Sequence, residues 1–172
     1  MSRSRRAAKR TTNDRRAKAP GRTPLAVGRS SSIVVIGYGN ALRGDDAAGP
    51  RVAAAVARWR APGVHAIAAQ QLAPELAAPL AHARLALFID ASADDATLRL
   101  TQLAPAPPSA LGHTGGPGAL LALAAAAYGA CPPAWQIAVP ASQFAIGARL
   151  SPRTRRGVAQ ALRMIRTLIA PD

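Results

Sequence analysis

The chain has one cysteine, Cys131, and no lysine after Lys18. A single cysteine excludes an intramolecular disulfide and any CxxC metal motif, and it suits a reducing cytoplasm. The missing lysine excludes a Walker A phosphate loop, which needs one. Aromatic residues are also few: Tyr38, Trp59, Phe88, Tyr128, Trp135 and Phe144. The core must therefore come from Ala, Leu, Val and Ile, and no aromatic–basic platform for single-stranded nucleic acid is available. Long apolar runs are absent too. The stretch Ala119–Ala127 falls far short of the ~20 residues that span a bilayer, and no apolar segment of signal-peptide type follows the basic N-terminus. There is no Gly-x-Ser-x-Gly elbow to support a serine nucleophile.

What the chain does have is unevenly placed charge. The formal net charge of +14 arises largely in residues 1–30, which hold ten of the 22 basic residues and one acid, Asp14. That segment is rich in Arg, Ala and Ser, carries Pro20, Gly21, Pro24 and Gly28, and has no sustained apolar period. It reads as a disordered basic tail. Three explanations stand side by side: a solvated tail, a start site placed too early with the true one near Val27, or an arm making non-specific contact with acidic partners or nucleic acid. The folded part carries no span for a membrane and no strong signal for nucleic acid.

From residue 31 to 172 strands alternate with helices. Ser32–Ile36 is continuously apolar and β-branched, as a buried strand is. A helix is expected over Asp46–Trp59, with Val52, Val56 and Trp59 on its inner stripe and Arg51 and Arg58 outside. Val64–Ala69, Leu85–Ile89 and Trp135–Val139 read as strands. Thr97–Leu103 alternates like a half-exposed one. Pro74 to about Ala81 and Pro117–Tyr128 read as helices, each with proline in its first turn. Residues 104–116 are loop. Ser151-Pro152 opens the last helix, with Ser151 as its cap. The expected fold is α/β: a three-layer αβα sandwich with a mostly parallel, twisted sheet of about five strands.

The first strand runs into Gly37-Tyr38-Gly39-Asn40-Ala41-Leu42-Arg43-Gly44-Asp45-Asp46. A dinucleotide fingerprint needs glycine at its sixth position. Leu42 stands there, and the two carboxylates that follow would repel a pyrophosphate at the helix start. Gly37 and Gly39 supply unusual backbone angles, and Asn40 closes the loop on itself, so these three shape the loop. Asp45 and Asp46 could serve only the helix dipole, Asp90 only a turn, and His113 could be a plain loop histidine. His65 and His82 read as structural or surface residues, Glu75 as a cap, and Cys131 has no base nearby.

This segment resembles the opening of the NiFe-hydrogenase maturation proteases, with their Gly-x-Gly-Asn-x-Leu stretch followed by a carboxylate pair. Phe88-Ile89-Asp90-Ala91 is similar to the family's third strand, and Gly112-His113-Thr114 to its histidine loop. Gln71–Leu76 and Leu150-Ser151-Pro152 agree as well. The resemblance covers about residues 32–169. It departs in having Asp rather than the common Glu at 46, Ala47 for a glycine, and Thr114-Gly115-Gly116 beside the histidine.

The resemblance implies that Asp46, Asp90 and His113 contact nickel. The metal belongs to the substrate and need not bind stably to this chain alone. Two carboxylates and an imidazole suit such a borderline divalent ion and leave coordination positions open. The implied activity is that of an endopeptidase, which inspects the nickel centre of a hydrogenase large-subunit precursor and removes its C-terminal extension. Hydrolysis could use the metal to polarise the carbonyl or activate water, with Asp45 or Asp46 as catalytic base, or the metal could serve recognition only. The alternative is a non-enzymatic metal- or partner-binding module of the same fold.

Overall fold

The computed structural model describes residues 32–106 and 116–170. The basic tail expected over residues 1–30 and the candidate ligand His113 lie outside the described residues.

Five strands form one sheet: β1 (Ile33–Tyr38), β2 (Val64–Ala69), β3 (Leu85–Ser92), β4 (Arg99–Leu103) and β5 (Ala134–Pro140), in the order β2-β1-β3-β5-β4. All neighbours are parallel except β4, which runs antiparallel along β5 at the edge. Helices α1 (Ala48–Arg58), α2 (Ala77–Ala81), α3 (Pro117–Tyr128) and α4 (Pro152–Ile169) cover both faces. Residues alternating along β1 and β3 explain the two covers. Val34, Ile36, Ala86 and Phe88 face one way and pack with Leu80, Leu121 and Ala124 of α2 and α3. Ile33, Val35, Leu87 and Ile89 face the other way and pack with Val52, Val56, Ala161 and Ile165 of α1 and α4. Central strands buried on both sides have no polar face, which is why their sequences are unbroken apolar runs. The result is a three-layer α/β sandwich.

Several boundaries differ from the sequence reading, for physical reasons. β1 runs on to Tyr38 because Gly37 and Tyr38 still pair with Ala68 and Ala69. β3 runs on through Asp90, which pairs with Ala138, so this aspartate lies within the strand and not after it. Helix α1 begins at Ala48, not Asp46; Asp45 and Asp46 sit in a 3-10 turn, Gly44–Ala47. Pro50 accounts for this. A proline ring clashes with the carbonyl four residues earlier, here that of Asp46, so α geometry cannot extend back that far. β4 starts at Arg99, two residues later than expected, behind an Arg99–Asp95 ion pair of 2.8 Å.

Other signals held in place. α3 spans Pro117–Tyr128 and ends on Gly129 at φ 74°, the left-handed conformation that glycine adopts without strain. The Ser151 hydroxyl accepts a hydrogen bond from the Thr154 N–H at 3.2 Å and caps α4. Among the described residues, no helix is long and apolar enough to cross a membrane.

Candidate functional site

The chain reverses direction across the sheet at β1: β2 lies on one side of it and β3 on the other. The carboxyl ends of β1 and β3 therefore open a crevice where the crossovers diverge, the usual ligand position in open α/β sheets. Asp46 follows β1 and Asp90 lies near the end of β3. Both line one cleft of about 270 Å³, together with Tyr38, Gln70, Leu72 and Gly116.

The Asp46 side is held by its own loop. Its Oδ2 accepts a hydrogen bond from the Asn40 N–H at 2.8 Å, while Asn40 Oδ1 accepts from the Leu42 N–H at 2.9 Å. Gly39 has φ 135°, and a Cβ there would stand 2.2 Å from the Asp46 carbonyl oxygen. No side chain fits. Gly37 meets a second close approach, since a Cβ would lie 1.9 Å from the Gly49 carbonyl oxygen. Helix α1 is thus packed directly onto β1, and this fixes the height at which Asp46 enters the cleft.

Asp90 is held from its own strand and from β1. Its Oδ1 accepts from the Ala91 N–H at 2.8 Å, and the Tyr38 hydroxyl donates to the carboxylate. Burial raises the Asp90 pKa. The Tyr38 and Ala91 hydrogen bonds pull it back, and the nearby charge of Asp46 pushes it up again, leaving it above the ordinary value. Burial also raises the Tyr38 hydroxyl, helped by the charge of Asp90 and the hydrogen bond to it, so Tyr38 stays a proton donor. Two carboxylates in a shared cleft, where the charge of Asp46 raises the proton affinity of Asp90, make an arrangement that a divalent cation would relieve.

Asp45 does not join them. Its side chain is 0% exposed and turned away toward residues 142–151. Oδ2 accepts from the backbone N–H groups of Ser142 at 2.8 Å and Gln143 at 2.9 Å, and Oδ1 from that of Ser151 at 2.6 Å. Burial alone would raise its pKa, but the hydrogen bonds from the Ser142 and Ser151 backbone and the Ser151 and Thr154 side chains outweigh it and hold it at about 2. A carboxylate so enclosed and so weakly basic makes a poor general base, which argues against the expected sharing of a catalytic role between Asp45 and Asp46.

Among the described residues no group of three or more His, Cys, Asp or Glu gathers as a metal site. The structure brings Asp46 and Asp90 to one cleft; His113, the third expected ligand, lies outside the described residues. Sequence reasoning missed Tyr38 as the partner of Asp90 and the tight seat of Gly49. A phenol two residues beyond a buried run was the available signal for Tyr38.

No protein-family model matches the sequence, and no curated protein is similar to it by sequence. Solved structures do match. The NiFe hydrogenase maturation protease HycI from Thermococcus kodakarensis KOD1 superposes with a TM-score of 0.65 at 19% identity, over 81% of this chain and 92% of that one. The hydrogenase maturating endopeptidase HybD from E. coli gives 0.63 at 18% identity, over 80% and 91%. The hydrogenase 2 maturation peptidase from a Thaumarchaeota archaeon gives 0.61 at 21% identity, over 80% and 97%. At such identities the likeness establishes the fold, that of the hydrogenase maturation peptidases, across nearly the whole of each neighbour.

Proposed function

We propose that this chain is a hydrogenase maturation endopeptidase. It recognises the nickel centre of a NiFe-hydrogenase large-subunit precursor through Asp46 and Asp90, with His113 as third ligand, and removes the precursor's C-terminal extension. The observation that carries this reading is the convergence of Asp46 and Asp90 on one cleft at the crossover of a sheet with the fold of such peptidases. The nickel arrives with the substrate. Asp46, tethered at Oδ2 by the Asn40 N–H, offers its other oxygen to an incoming cation. Asp90, whose carboxylate is oriented by Tyr38 and Ala91, offers the second donor from the strand.

Recognition is the primary role of the pair. Because Asp45 is sequestered, Asp46 is the candidate base for the attacking water, and the peptide bond to be cut must lie within reach of it. The test is to incubate the purified chain with the nickel-loaded large-subunit precursor from the same organism and read intact mass. Loss of the C-terminal extension from the nickel-loaded form, and not from the nickel-free form, is expected. A nickel-loaded precursor that remains intact, although lysate of the same organism processes it, overturns the proposal.

A further inference from the structure

Two loops beside the carboxylate cleft are stitched together. Asp45 N–H donates to the Gln143 carbonyl at 2.7 Å, Gly147 N–H to the Leu42 carbonyl at 2.8 Å, and Arg43 Nε to the Phe144 carbonyl at 3.3 Å. The paired loops present Leu42 at 71% and Ile146 at 82% exposure, the two most exposed large hydrophobic side chains among the described residues. Arg43 and Arg149 are exposed on the same loops, and residues 141–150 contain no acid.

We infer that the paired loops 40–46 and 141–150 are a docking surface for an extended segment of the substrate protein, one that carries apolar side chains flanked by acidic ones. The inference rests on the proposed function and names how the substrate is held. An apolar centre with a charged rim is the composition of a recognition patch. The rim is basic, so it complements acidic flanks.

The surface is also continuous with the site. Asn40, Ala41 and Leu42 line a neighbouring cleft of about 340 Å³ that reaches Gly39 and Gln70, and these same two residues border the carboxylate cleft. A segment lying over Leu42 therefore leads directly to Asp46. A second copy of this chain fits less well. Two aliphatic side chains are far short of the roughly 800 Å² per partner that a stable interface covers, whereas a substrate segment is held at the metal cleft as well. The hydrogen bonds between the loops hold the surface in shape before binding, which lowers the cost of ordering it.

The test compares the unaltered chain, the double variant Leu42→Ser/Ile146→Ser, the charge variant Arg149→Glu, and the control Tyr128→Ser at the end of α3. Each is assayed for processing of the nickel-loaded precursor and for oligomeric state by sedimentation. The double variant is expected to raise KM at least about tenfold with a much smaller change in kcat, as loss of central apolar anchors does. Arg149→Glu is expected to raise KM and flatten its dependence on salt. Tyr128→Ser should change neither. Unaltered KM in the double variant, with circular dichroism showing it folded, overturns this inference and leaves the proposed function standing. If the unaltered chain processes no precursor, the proposed function falls and this inference with it. A chain that dimerises until Leu42 and Ile146 are replaced, with no change in KM, overturns it in favour of self-association.

Discussion

Asp45 and Asp46 are adjacent in sequence and serve opposite sides of one turn. Asp45 accepts the Ser151 N–H at 2.6 Å across 106 residues of chain, while Asp46 accepts the Asn40 N–H at 2.8 Å and faces the cleft. One residue pair within the 3-10 turn Gly44–Ala47 therefore joins the site to the frame that carries it. The frame is the start of α4, whose cap residue Ser151 is held by Asp45 from behind. Loss of Asp45 would loosen the loops around the site before it touched any reacting atom.

Asp45→Ala should therefore act on stability. It strands the buried Ser151 N–H and leaves those of the exposed Ser142 and Gln143 to water, so a loss of about 1–3 kcal/mol, set mainly by the buried group, is expected. Urea denaturation followed by circular dichroism measures it. If the variant unfolds at the same urea concentration as the unaltered chain, the cradle has no structural weight.

The same carboxylate predicts an acid limb. Its pKa is about 2 in the folded chain against 3.8 for the ordinary group. The folded state thus binds fewer protons at that position than the unfolded state does. The stabilisation is complete above the ordinary value and is lost as pH falls through the folded one. Unfolding free energy measured from pH 5 to pH 2 should fall over this window in the unaltered chain, and the fall should be shallower in Asp45→Asn.

Asp90→Asn should separate function from stability. The Asp90 pKa is raised, so its carboxylate costs the folded state stability as pH climbs from the ordinary value through the raised one. At pH 7 an amide keeps an oxygen for the Ala91 N–H and sheds the charge. The expected melting temperature is equal to or above that of the unaltered chain, with processing of the nickel-loaded precursor reduced by at least about 100-fold, the scale of losing a ligand or its support. A variant that melts earlier and still processes the precursor would contradict both halves.

Gly49→Ala tests the seat of α1. Helix propensity alone favours the substitution by about 1 kcal/mol. The structure reverses the sign, because the new Cβ would stand 2.4 Å from the Tyr38 carbonyl oxygen and 2.5 Å from that of Ile89. Overpacking against backbone atoms costs about 1–3 kcal/mol or more. Thermal melts of Gly49→Ala beside Gly118→Ala, whose Cβ meets its neighbours no closer than 3.1 Å, read out the difference. The former should lose several degrees more.

Much of this protein is local in origin and was legible in the sequence. The unbroken apolar runs at Ile33 and Leu85 name buried parallel strands, because only strands covered on both faces can dispense with a polar side. The ends of α3 and the start of α4 follow from Pro117, Gly129, Ser151 and Pro152, whose backbone preferences act within a turn. The motif from Gly37 to Asp46 marks the loop that carries the site, since its glycines answer to close approaches that no side chain survives. What sequence could not assign was the direction of each carboxylate. Asp45 and Asp46 have the same chemistry and the same neighbours along the chain. Their division into a buried strut and a cleft-facing carboxylate is made by residues 142–151, which are brought to the turn only when β5 and α4 pack against the rest of the sheet. The partnership of Tyr38 with Asp90 is likewise set between adjacent strands, and the place of Gly49 by two carbonyls it meets across a layer. Such contacts depend on which elements become neighbours, and that is decided by the whole core at once.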